Sequence, residues 1–502
     1  MSGPSNTSPS KSLRSMTLAD LLGGSHGVAA LGDAGQISVS GLQLDSRKIQ
    51  PGDAFIALRG MRQHGIAFAS RAQQNGAVAI LGETPVESSD ATLPVIGIEA
   101  LGHQLGEIAA RWHGNPTASM KVVGITGTNG KTSIVQLLAP AMSLNGPNVA
   151  SIGTLGAGLY GAMTAGERTT PDAVKLQGLF ADFRDVDVSD VAMEVSSHAL
   201  AQGRVNAVEF DVAVFTNLSR DHLDYHGDMD SYAAAKAQLF QWPSIATAII
   251  NIDDAFGRQL MDQLPNRVTA LSYGIDNIDA DIAASNVRSD GAGLHFHLRS
   301  PWGRTEVDSC LLGRFNVANL LAVVACLAQS GVTFEDIVAT LPRLEPVAGR
   351  MNRIDAGDLV LVVDYAHTPD ALEQALRSLR AHCAGKLICV FGCGGDRDQG
   401  KRPQMAEVAE RLADAVIVTD DNPRNENGDD IVAQIVAGLV DPERALIERD
   451  RERAIHLAAM AARGGDIVLI AGKGHETYQE IGEQRLPFDD RVVARAAAEA
   501  NA

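Results

Sequence analysis

A glycine-rich segment of the chain could hold the phosphates of a nucleotide. Residues 124–133 read GITGTNGKTS and lie between a β-branched run and a stretch with helical spacing, which predicts a strand-to-helix turn. In such a turn backbone N–H groups face an anion, Lys131 could reach the terminal phosphates, and the Thr132 hydroxyl could bind Mg²⁺. The pattern departs from the usual phosphate loop at position 125, where isoleucine replaces glycine. We predict that the segment binds a nucleoside triphosphate.

Further polar side chains follow other predicted strands. Glu194 ends the strand in AMEVSSHAL, where its carboxylate could bind Mg²⁺ or could instead cap the helical turn that follows. The segment TNLSRDHLDYHG is rich in Asp and His, which suits ligation of a hard cation and equally suits a solvated acidic loop. Lys236 lies on an alanine-rich helix for which Ser231 is the predicted cap, and composition alone predicts a surface lysine.

Strands and helices alternate through most of the chain, so the predicted fold class is α/β with three domains. A small α/β domain fills residues 17–115, a central phosphate-loop domain with a mostly parallel sheet fills 116–345, and a Rossmann-like, doubly wound domain fills 346–502. Alternating segments within 279–312 predict an antiparallel extension of the central sheet. The last domain has polar loops after its predicted strands, and such loops form sites at the carboxyl edge of a parallel sheet.

Composition excludes several classes of protein. The 502 residues carry a net charge of −19, which disfavours nucleic-acid-binding and anionic-membrane surfaces because both need basic patches. The five cysteines include no C-x-x-C pair, so we expect neither a disulfide framework nor a structural zinc site, but reduced core residues. Residues 1–16 read as a disordered tail, and no apolar run of about 18 residues occurs. We therefore expect a soluble cytoplasmic protein, and a monomer.

The motifs together resemble those of the Mur ligases of peptidoglycan assembly. The similar blocks follow the same order along almost the whole chain: GTNGKTS, EVSSHAL, TNLSRDHLDYHG, LLGRFNVANLLA, GRMNR, DYAHTPDAL, FGCGGDRDQGKRP, DNPR and AGKGHE. DNPR and GGDRDQGKRP are most similar to the members that add the third amino acid to UDP-N-acetylmuramoyl-L-alanyl-D-glutamate. The resemblance implies an ATP-dependent amide ligase that phosphorylates the substrate carboxylate to an acyl phosphate and then adds meso-2,6-diaminopimelate.

The resemblance also implies which residues serve ATP and two Mg²⁺ ions. The catalytic residues would be Lys131, Lys236, Glu194 and His222, and Mg²⁺ would be held by Thr132, Glu194, His222 and Lys236. Lys236 would carry a carbamate formed with CO₂, which replaces a repelling ammonium with an anion, contrary to the surface lysine that composition predicts. The ATP site would comprise Gly127, Thr128, Asn129, Gly130, Lys131, Thr132, Asn316, Arg350 and Asp364.

The other two substrates would occupy further positions that match the family. LDSRKIQPGD and RGMRQHG match its uridine pocket, although polar loops after strands are also ordinary turns. The UDP-MurNAc-peptide site would comprise Leu44, Ser46, Met61, Arg62, Gln63, Thr169, Thr170, Ser196, Gln202 and Arg204. Diaminopimelate would meet Arg397, Asp421, Asn422, Pro423, Arg424, Gly472 and Glu476. Arg424 would bind its far carboxylate, whereas an arginine in a charged loop is otherwise expected to be solvated.

Other functions stay open on the sequence. The same ligation could use L-lysine. A folylpolyglutamate-type ligase has a related phosphate loop and central domain, but the N-terminal uridine-pocket domain and DNPR disfavour it. A phosphate-loop kinase or ATPase with a C-terminal binding domain would form a phosphorylated product rather than an amide. A structural nucleotide-binding protein would have no use for the cluster of Lys131, Glu194, His222 and Lys236.

Overall fold

A computed structural model describes residues 14–60, 63–86, 90–146, 148–166, 168–275, 277, 279–290, 293–356 and 359–501. The chain forms two compact units. The first contains the residues up to Val122 together with Gly166–Ser189 and Val195–Glu209, and the second contains Val123–Ala165, Asp190–Glu194 and the chain from Phe210 onward. The chain therefore leaves the first unit and returns to it twice. The predicted domain boundaries near 116 and 346 stay predictions.

The N-terminal part is a small α/β structure. Its elements are β1 (Met16–Thr17), α1 (Leu18–Leu22), β2 (Ser38–Val39), β3 (Gly41–Gln43), β4 (Asp53–Ala57), α2 (Ala69–Gln74), β5 (Ala79–Glu83), β6 (Val95–Ile98) and α3 (Leu101–His113). Strands β3, β4, β5 and β6 form a parallel sheet in that order. Leu81, Ile108 and Trp112 belong to its buried core. Met16, inside the predicted tail, pairs in β1, and residues 1–13 lie outside the described residues.

The central part is built on one mixed sheet. Its elements are β7 (Lys121–Thr126), α4 (Lys131–Asn145), β8 (Val149–Gly153), β9 (Gly156–Leu159), β10 (Ala162–Thr164), α5 (Ala173–Arg184), β11 (Asp190–Glu194), α6 (Ser197–Ala201), β12 (Val212–Phe215), α7 (Leu223–His226), α8 (Met229–Ala237), β13 (Thr247–Asn251), α9 (Ala255–Asp262), β14 (Thr269–Ile275), β15 (Ile282–Ser289), β16 (Leu294–Ser300), β17 (Gly303–Ser309), α10 (Phe315–Gln329) and α11 (Phe334–Thr340). The strand order is β10-β9-β8-β11-β7-β12-β13-β14-β15-β16-β17. From β12 to β15 neighbouring strands run parallel, and β15, β16 and β17 pair antiparallel, which confirms the predicted extension. Helices α5 and α6, which lie between central strands along the chain, belong to the first unit.

The C-terminal part is doubly wound, as predicted. Its elements are β18 (Asn352–Ala356), β19 (Leu359–Asp364), α12 (Pro369–Arg380), β20 (Leu387–Phe391), α13 (Lys401–Leu412), β21 (Ala415–Val418), α14 (Gly428–Val436), β22 (Ala445–Ile447), α15 (Arg451–Ala461), β23 (Ile467–Ala471), β24 (Tyr478–Ile481), β25 (Gln484–Pro487) and α16 (Asp490–Asn501). The sheet order is β18-β19-β23-β20-β21-β22, and only β18 pairs antiparallel. Helices α12, α13 and α14 contribute to one apolar cluster, and α15 and α16 contribute to another.

A buried ion pair anchors the carboxyl edge of this C-terminal sheet. The guanidinium of Arg451 donates to the carboxylate of Asp490 at 2.7 Å, and neither side chain is exposed. The same guanidinium donates to the carbonyl of Ala471 at 3.0 Å, at the end of β23. Because β19, β20, β21 and β23 run parallel, the loops that follow them leave the sheet at one edge. The fold therefore gathers the predicted polar loops on one side.

The composition predicted reduced, buried cysteines and no membrane-spanning segment, and the described residues allow both expectations to be examined. The cysteines are free thiols, and Cys326, Cys389 and Cys393 are buried as expected, but Cys383 is half-buried and Cys310 is exposed. Cys310 follows the edge strand β17 and therefore meets solvent rather than a core. Within the described chain, every helix is too short or too polar to cross a bilayer.

Candidate active site

The glycine-rich turn joins β7 to α4 as predicted, and its backbone conformation restricts which residues can occupy positions 127 and 130. Gly127 and Gly130 have φ angles of +146° and +87°, values that favour glycine. A Cβ atom on Gly127 would lie 1.8 Å from Oγ1 of Thr216, so no other residue fits there. The Nζ atom of Lys131 donates to the carbonyls of Gly127 at 2.7 Å and Thr128 at 2.8 Å. The ammonium group of Lys131 thus packs against the backbone of its own loop.

The segment after β12 holds this loop in place. Oγ1 of Thr216 donates to the carbonyl of Asn129 at 2.6 Å. The side-chain oxygen of Asn217 accepts the N–H of Asn129 at 2.9 Å, and the Asn217 carbonyl accepts the N–H of Thr128 at 2.8 Å. Our sequence reasoning missed Thr216 and Asn217, although the position of TNLS directly after a strand was a usable signal. These bonds fix the loop before any ligand binds.

Glu194 faces the start of α4. Its side chain is 1% exposed, and its carboxylate accepts from the Thr132 hydroxyl at 2.9 Å and from the Thr154 N–H at 2.7 Å. The alternative that Glu194 caps the next helix is wrong, because Ser196 is the cap of α6. The structure therefore brings together the hydroxyl and the carboxylate that were predicted to bind Mg²⁺. Thr154 is a further neighbour that the sequence did not indicate.

Lys236 is buried against the same loop. Its side chain is 1% exposed, and Nζ donates to the Gly127 carbonyl at 2.8 Å. Burial lowers the pKa of Lys236 well below its usual range, and the positive charge of Lys131 lowers it further. The surface lysine predicted from composition is wrong. The predicted cap is also wrong, because Asp228 rather than Ser231 caps α8 and accepts the Ser231 N–H at 2.7 Å.

His222 lies at the beginning of α7 with a left-handed φ of +54°. Partial burial lowers its pKa, Asp221 opposes this effect, and Lys131 and Lys236 add to it. His222 is therefore within electrostatic range of both lysines. Among the residues that the structure describes, no three His, Cys, Asp or Glu side chains form a cluster able to hold a metal ion by themselves. A metal here would also need hydroxyl, carbamate or ligand oxygens.

Arg350 reaches the loop from the start of the C-terminal part. Its Nη2 atom lies 3.4 Å from the Thr132 hydroxyl, and its Cζ atom lies 4.4 Å from the ring centroid of Tyr365. Asp364 accepts the backbone N–H groups of Met351 and Ala366 at 2.7 and 2.8 Å, which fixes the chain next to Arg350. Burial raises the pKa of Asp364, whereas Arg350 lowers it. Asp364 thus shapes the site through the backbone.

Asn316 holds Asn319, its neighbour on α10, which lies next to the glycine-rich loop. Its side chain donates to the Leu312 carbonyl at 2.7 Å and accepts from Nδ2 of Asn319 at 2.8 Å. A Cβ atom on Gly130 would lie 3.0 Å from Oδ1 of Asn319, so Asn319 is the residue next to the loop. The sequence did not single out Asn319, although it lies one turn after Asn316 on the same helix.

The first unit contains the residues predicted to bind the UDP-MurNAc-peptide. Leu44 and Ser46 follow β3, Gln63 follows β4, and these strands are parallel neighbours, so both segments leave the same edge of their sheet. Ser46 is buried and Gln63 is exposed. The predicted residues Met61 and Arg62 lie outside the described residues.

A second set of residues predicted to bind the UDP-MurNAc-peptide lies around Thr170 in the same unit. The preceding residue, Thr169, is half-buried. The Thr170 hydroxyl accepts the Ser196 N–H at 3.2 Å, and its carbonyl accepts from Arg204 at 3.1 Å. The guanidinium of Arg204 also donates to the side-chain oxygen of Gln202, at 2.8 Å from Nε. The structure therefore brings Thr170, Ser196, Gln202 and Arg204 together, and their contact with the UDP-MurNAc-peptide stays a prediction.

The loops at the carboxyl edge of the C-terminal sheet form a hydrogen-bonded network. Nδ2 of Asn422 donates to Oε2 of Glu476 at 2.8 Å. The ammonium of Lys473, fully buried, donates to Oδ1 of Asn422 at 2.9 Å and to Oε2 of Glu476 at 3.0 Å. Our sequence reasoning missed Lys473. Gly472 has a φ of +117°, and a Cβ atom there would lie 2.6 Å from the Asp421 carboxylate.

Arg424 follows Pro423 in this network and is not the solvated arginine that its loop would suggest. Its side chain is 21% exposed, and Nε donates to Oε2 of Glu480 at 2.9 Å. Nη1 donates to the Gly395 carbonyl at 2.8 Å. Arg397, in contrast, is exposed. The sequence indicated Arg424 and Arg397 but not Glu480.

Three profiles of known protein families match the chain. The Mur ligase family, catalytic domain, matches residues 38–113; the Mur ligase middle domain matches 125–327; and the Mur ligase, glutamate ligase domain, matches 349–474. Together they cover the three predicted parts of the chain.

Individual proteins with Mur ligase names are also similar to the chain. The chain is 51% identical to the UDP-N-acetylmuramoyl-L-alanyl-D-glutamate--2,6-diaminopimelate ligase of Xanthomonas oryzae pv. oryzae (strain MAFF 311018), over 96% of this chain and 97% of that protein. A solved structure of an enzyme with the same name is 38% identical, covers 97% of this chain and 99% of its own, and has a TM-score of 0.71.

A more distant likeness concerns the fold alone. The folylpolyglutamate synthase of Mycobacterium tuberculosis, solved with ADP and AMPPCP, is 19% identical, covers 73% of this chain and 91% of its own, and has a TM-score of 0.61. The profile at 38–113 and the relatives matched over nearly the whole length distinguish the chain from that protein. On these grounds the chain belongs to the Mur ligase family.

Proposed function

We propose that the protein is an ATP-dependent ligase that joins meso-2,6-diaminopimelate to UDP-N-acetylmuramoyl-L-alanyl-D-glutamate, a step in making peptidoglycan precursors. The observation that carries the proposal is the convergence of Lys131 and Lys236 on the Gly127 carbonyl, beside the buried pair of Thr132 and Glu194. Two neighbouring cations, one of them buried, next to a buried carboxylate suit a ligand that brings both phosphates and a metal ion. The relatives named above support the choice of substrates.

The loop and its neighbours would bind ATP. Backbone N–H groups of residues 130–132, at the start of α4, would face the phosphates, with Lys131 turning from the loop carbonyls to the terminal phosphates. Arg350, whose Nε has no hydrogen-bond partner among the described residues, would contribute a second cation. Asn319 and Asn316 would support the loop at Gly130.

The donors around Thr132 fit magnesium, which prefers hard oxygen ligands. Thr132, Glu194, His222 and a carbamate on Lys236 would hold Mg²⁺ at two sites, and the bound metal would neutralise phosphate charge. Lys236 suits carbamylation because it is buried beside another cation, so its neutral amine is favoured and can attack CO₂. The resulting anion would replace an ammonium that repels both Lys131 and the metal.

The reaction would proceed in two steps. The γ-carboxylate of the D-glutamate would attack the terminal phosphorus of ATP, with ADP leaving, because a free carboxylate is a poor electrophile and an acyl phosphate is a good one. The amine of diaminopimelate would then attack the acyl carbon, the amide C–N bond would form, and phosphate would leave. The side chains would position the reactants and neutralise charge.

The C-terminal loops would bind the amino acid. Glu476, positioned by Lys473 and Asn422, would pair with an ammonium group, and Arg424 would bind the far carboxylate. Because Arg424 already contacts Glu480, L-lysine would not leave this cation unpaired. Discrimination then depends on the hydrogen bonds that the extra carboxylate gains.

The decisive experiment is a product assay. Purified protein is incubated with the UDP-MurNAc-dipeptide, ATP and Mg²⁺, and separately with meso-diaminopimelate, L-lysine or L-ornithine, and the product mass is determined. We expect an amide product with meso-diaminopimelate and ADP release that depends on the amino acid. A phosphorylated product without an amide would instead indicate a kinase, and equal use of L-lysine would contradict the proposed specificity.

Replacing Lys131 with alanine should abolish ligation and leave the fold intact. Loss of a charged contact to the transferring phosphoryl group should raise the barrier by about 3 kcal/mol or more, roughly a hundredfold in kcat. Steady-state ADP release measures the effect, and circular dichroism checks the fold. Lys121→Ala, at an exposed position on β7, is the matched control. Near-normal turnover of Lys131→Ala would remove the phosphate-loop assignment.

Replacing Lys236 with alanine should remove most activity, and short-chain carboxylic acids should restore part of it because they supply the missing anion. Lys236→Arg should stay inactive with or without the acids, because a guanidinium does not form a carbamate and repels the metal. The measurement is turnover against acid concentration, with Asp230→Ala on the exposed side of α8 as control. Full activity of Lys236→Ala without acid would exclude the carbamate.

Replacing Arg424 with alanine should remove the preference for meso-diaminopimelate by weakening its use. Charge-assisted hydrogen bonds contribute about 1.5–3 kcal/mol, so kcat/KM for diaminopimelate should fall roughly ten- to a hundredfold, with that for L-lysine nearly unchanged. Competition between the two amino acids measures the ratio, and Arg485→Ala on β25 is the control. An unchanged ratio would show that Arg424 does not select the substrate.

A further inference from the structure

We propose that Glu480 is a positioning residue for amino-acid selection: its carboxylate holds the guanidinium of Arg424 so that one edge of that group faces the incoming amino acid. The inference rests on the proposed function, in which Arg424 binds the far carboxylate of diaminopimelate. It assigns a role to the β24–β25 hairpin, which none of the motifs in the sequence covers.

Two contacts from different parts of the chain fix the guanidinium. Glu480 accepts from Nε at 2.9 Å, and the Gly395 carbonyl accepts from Nη1 at 2.8 Å. No residue in the described ranges accepts a hydrogen bond from Nη2 of Arg424. An arginine presents five N–H donors in one plane, so fixing Nε and one N–H of Nη1 leaves the outer edge formed by Nη1 and Nη2 for a ligand. A carboxylate can bind that edge with two parallel hydrogen bonds.

The backbone brings Glu480 to this place independently of its side chain. The N–H of Arg424 donates to the Glu480 carbonyl at 3.0 Å, and the N–H of Gly482 donates to the Arg424 carbonyl at 2.7 Å. The N–H of Glu480 donates to Oδ1 of Asn422 at 3.0 Å. The DNPR loop is therefore attached to β24 by bonds that a substitution of the Glu480 side chain leaves in place.

Crowding around the guanidinium also favours a defined orientation. A Cβ atom on Gly394 would lie 2.8 Å from Nη1 of Arg424, so the glycines of the GGDRD loop admit the group where a larger residue would displace it. Arg424 itself has a left-handed φ of +51°. The loop conformation and the Glu480 contact together direct a long, flexible side chain into one arrangement.

The Glu480 carboxylate has two effects on a ligand carboxylate, and they have opposite signs. It orients the guanidinium, which favours binding because less side-chain freedom is lost when the ligand arrives. Its negative charge repels the ligand carboxylate, which disfavours binding. Glu480→Ala removes both effects, whereas Glu480→Gln keeps an oxygen that can accept from Nε and removes only the charge. The two variants therefore separate positioning from charge.

The test measures KM and kcat for meso-diaminopimelate with the full-length protein. We expect Glu480→Ala to raise KM roughly tenfold, because an unrestrained arginine loses more freedom on binding, with kcat within about twofold of the parent. Glu480→Gln should have a KM equal to or below that of the parent. Glu483→Ala, at an exposed position in the turn of the same hairpin, should match the parent. KM for ATP and the midpoint of thermal unfolding should be unchanged throughout.

Several outcomes would overturn the proposal. A parental KM in Glu480→Ala would show that the contact does not position Arg424, and a lowered KM in both Glu480 variants would show that the carboxylate acts only by repulsion. A parallel rise of KM for ATP would indicate a structural role. A parent protein that ligates L-lysine but not meso-diaminopimelate would refute the proposed function, and this inference with it, whereas a parent that uses diaminopimelate leaves the proposed function in place whatever the variants do.

Discussion

The carbonyl oxygen of Gly127 accepts hydrogen bonds from two lysines, the half-buried Lys131 and the buried Lys236, and the arrangement of the central part depends on this contact. Lys131 reaches it from its own loop and Lys236 reaches it from α8, at 2.7 and 2.8 Å. Two ammonium groups held so close and away from water repel each other, which disfavours the charged form of at least one. The site is therefore unfavourable for cations until anions arrive. The proposed phosphates and carbamate are anions, so their binding would relieve this repulsion.

In the C-terminal network, the charged side chains that we propose to bind the amino acid have opposite charges beside them. Lys473 is fully buried and neutralises Glu476 in part, and Glu480 does the same for Arg424. Each of these charges is thus stabilised by a neighbouring opposite charge, which lowers the cost of keeping it partly desolvated. The anchor of this arrangement is the buried pair of Arg451 and Asp490, which also binds the end of β23.

Local pattern was enough to predict the phosphate loop, the two sheets and the antiparallel extension, because strand, turn and helix signals lie within a few residues of each other. Local pattern did not predict the burial of Lys236. Its neighbours on α8 are alanines, and only the tertiary packing against Gly127 shows that the lysine is buried. Thr216 and Glu480 were missed for the same reason, since their partners Asn129 and Arg424 are distant in sequence. The resemblance to a family supplied Lys236, whereas nothing in the sequence supplied the contact between Arg424 and Glu480.

The distance along the chain between the loop and its supports has a consequence for biosynthesis. Asn129 hydrogen-bonds to a residue 88 positions later, and Gly127 to one 109 positions later. At a synthesis rate of about 5–20 residues per second, the loop emerges roughly five to twenty seconds before Lys236, and Asn319, which lies next to Gly130, emerges later still. Until these segments emerge, the loop lacks the hydrogen bonds to Thr216, Asn217 and Lys236 that fix its conformation. The native conformation of the loop is therefore complete only after α8 and α10 have been made.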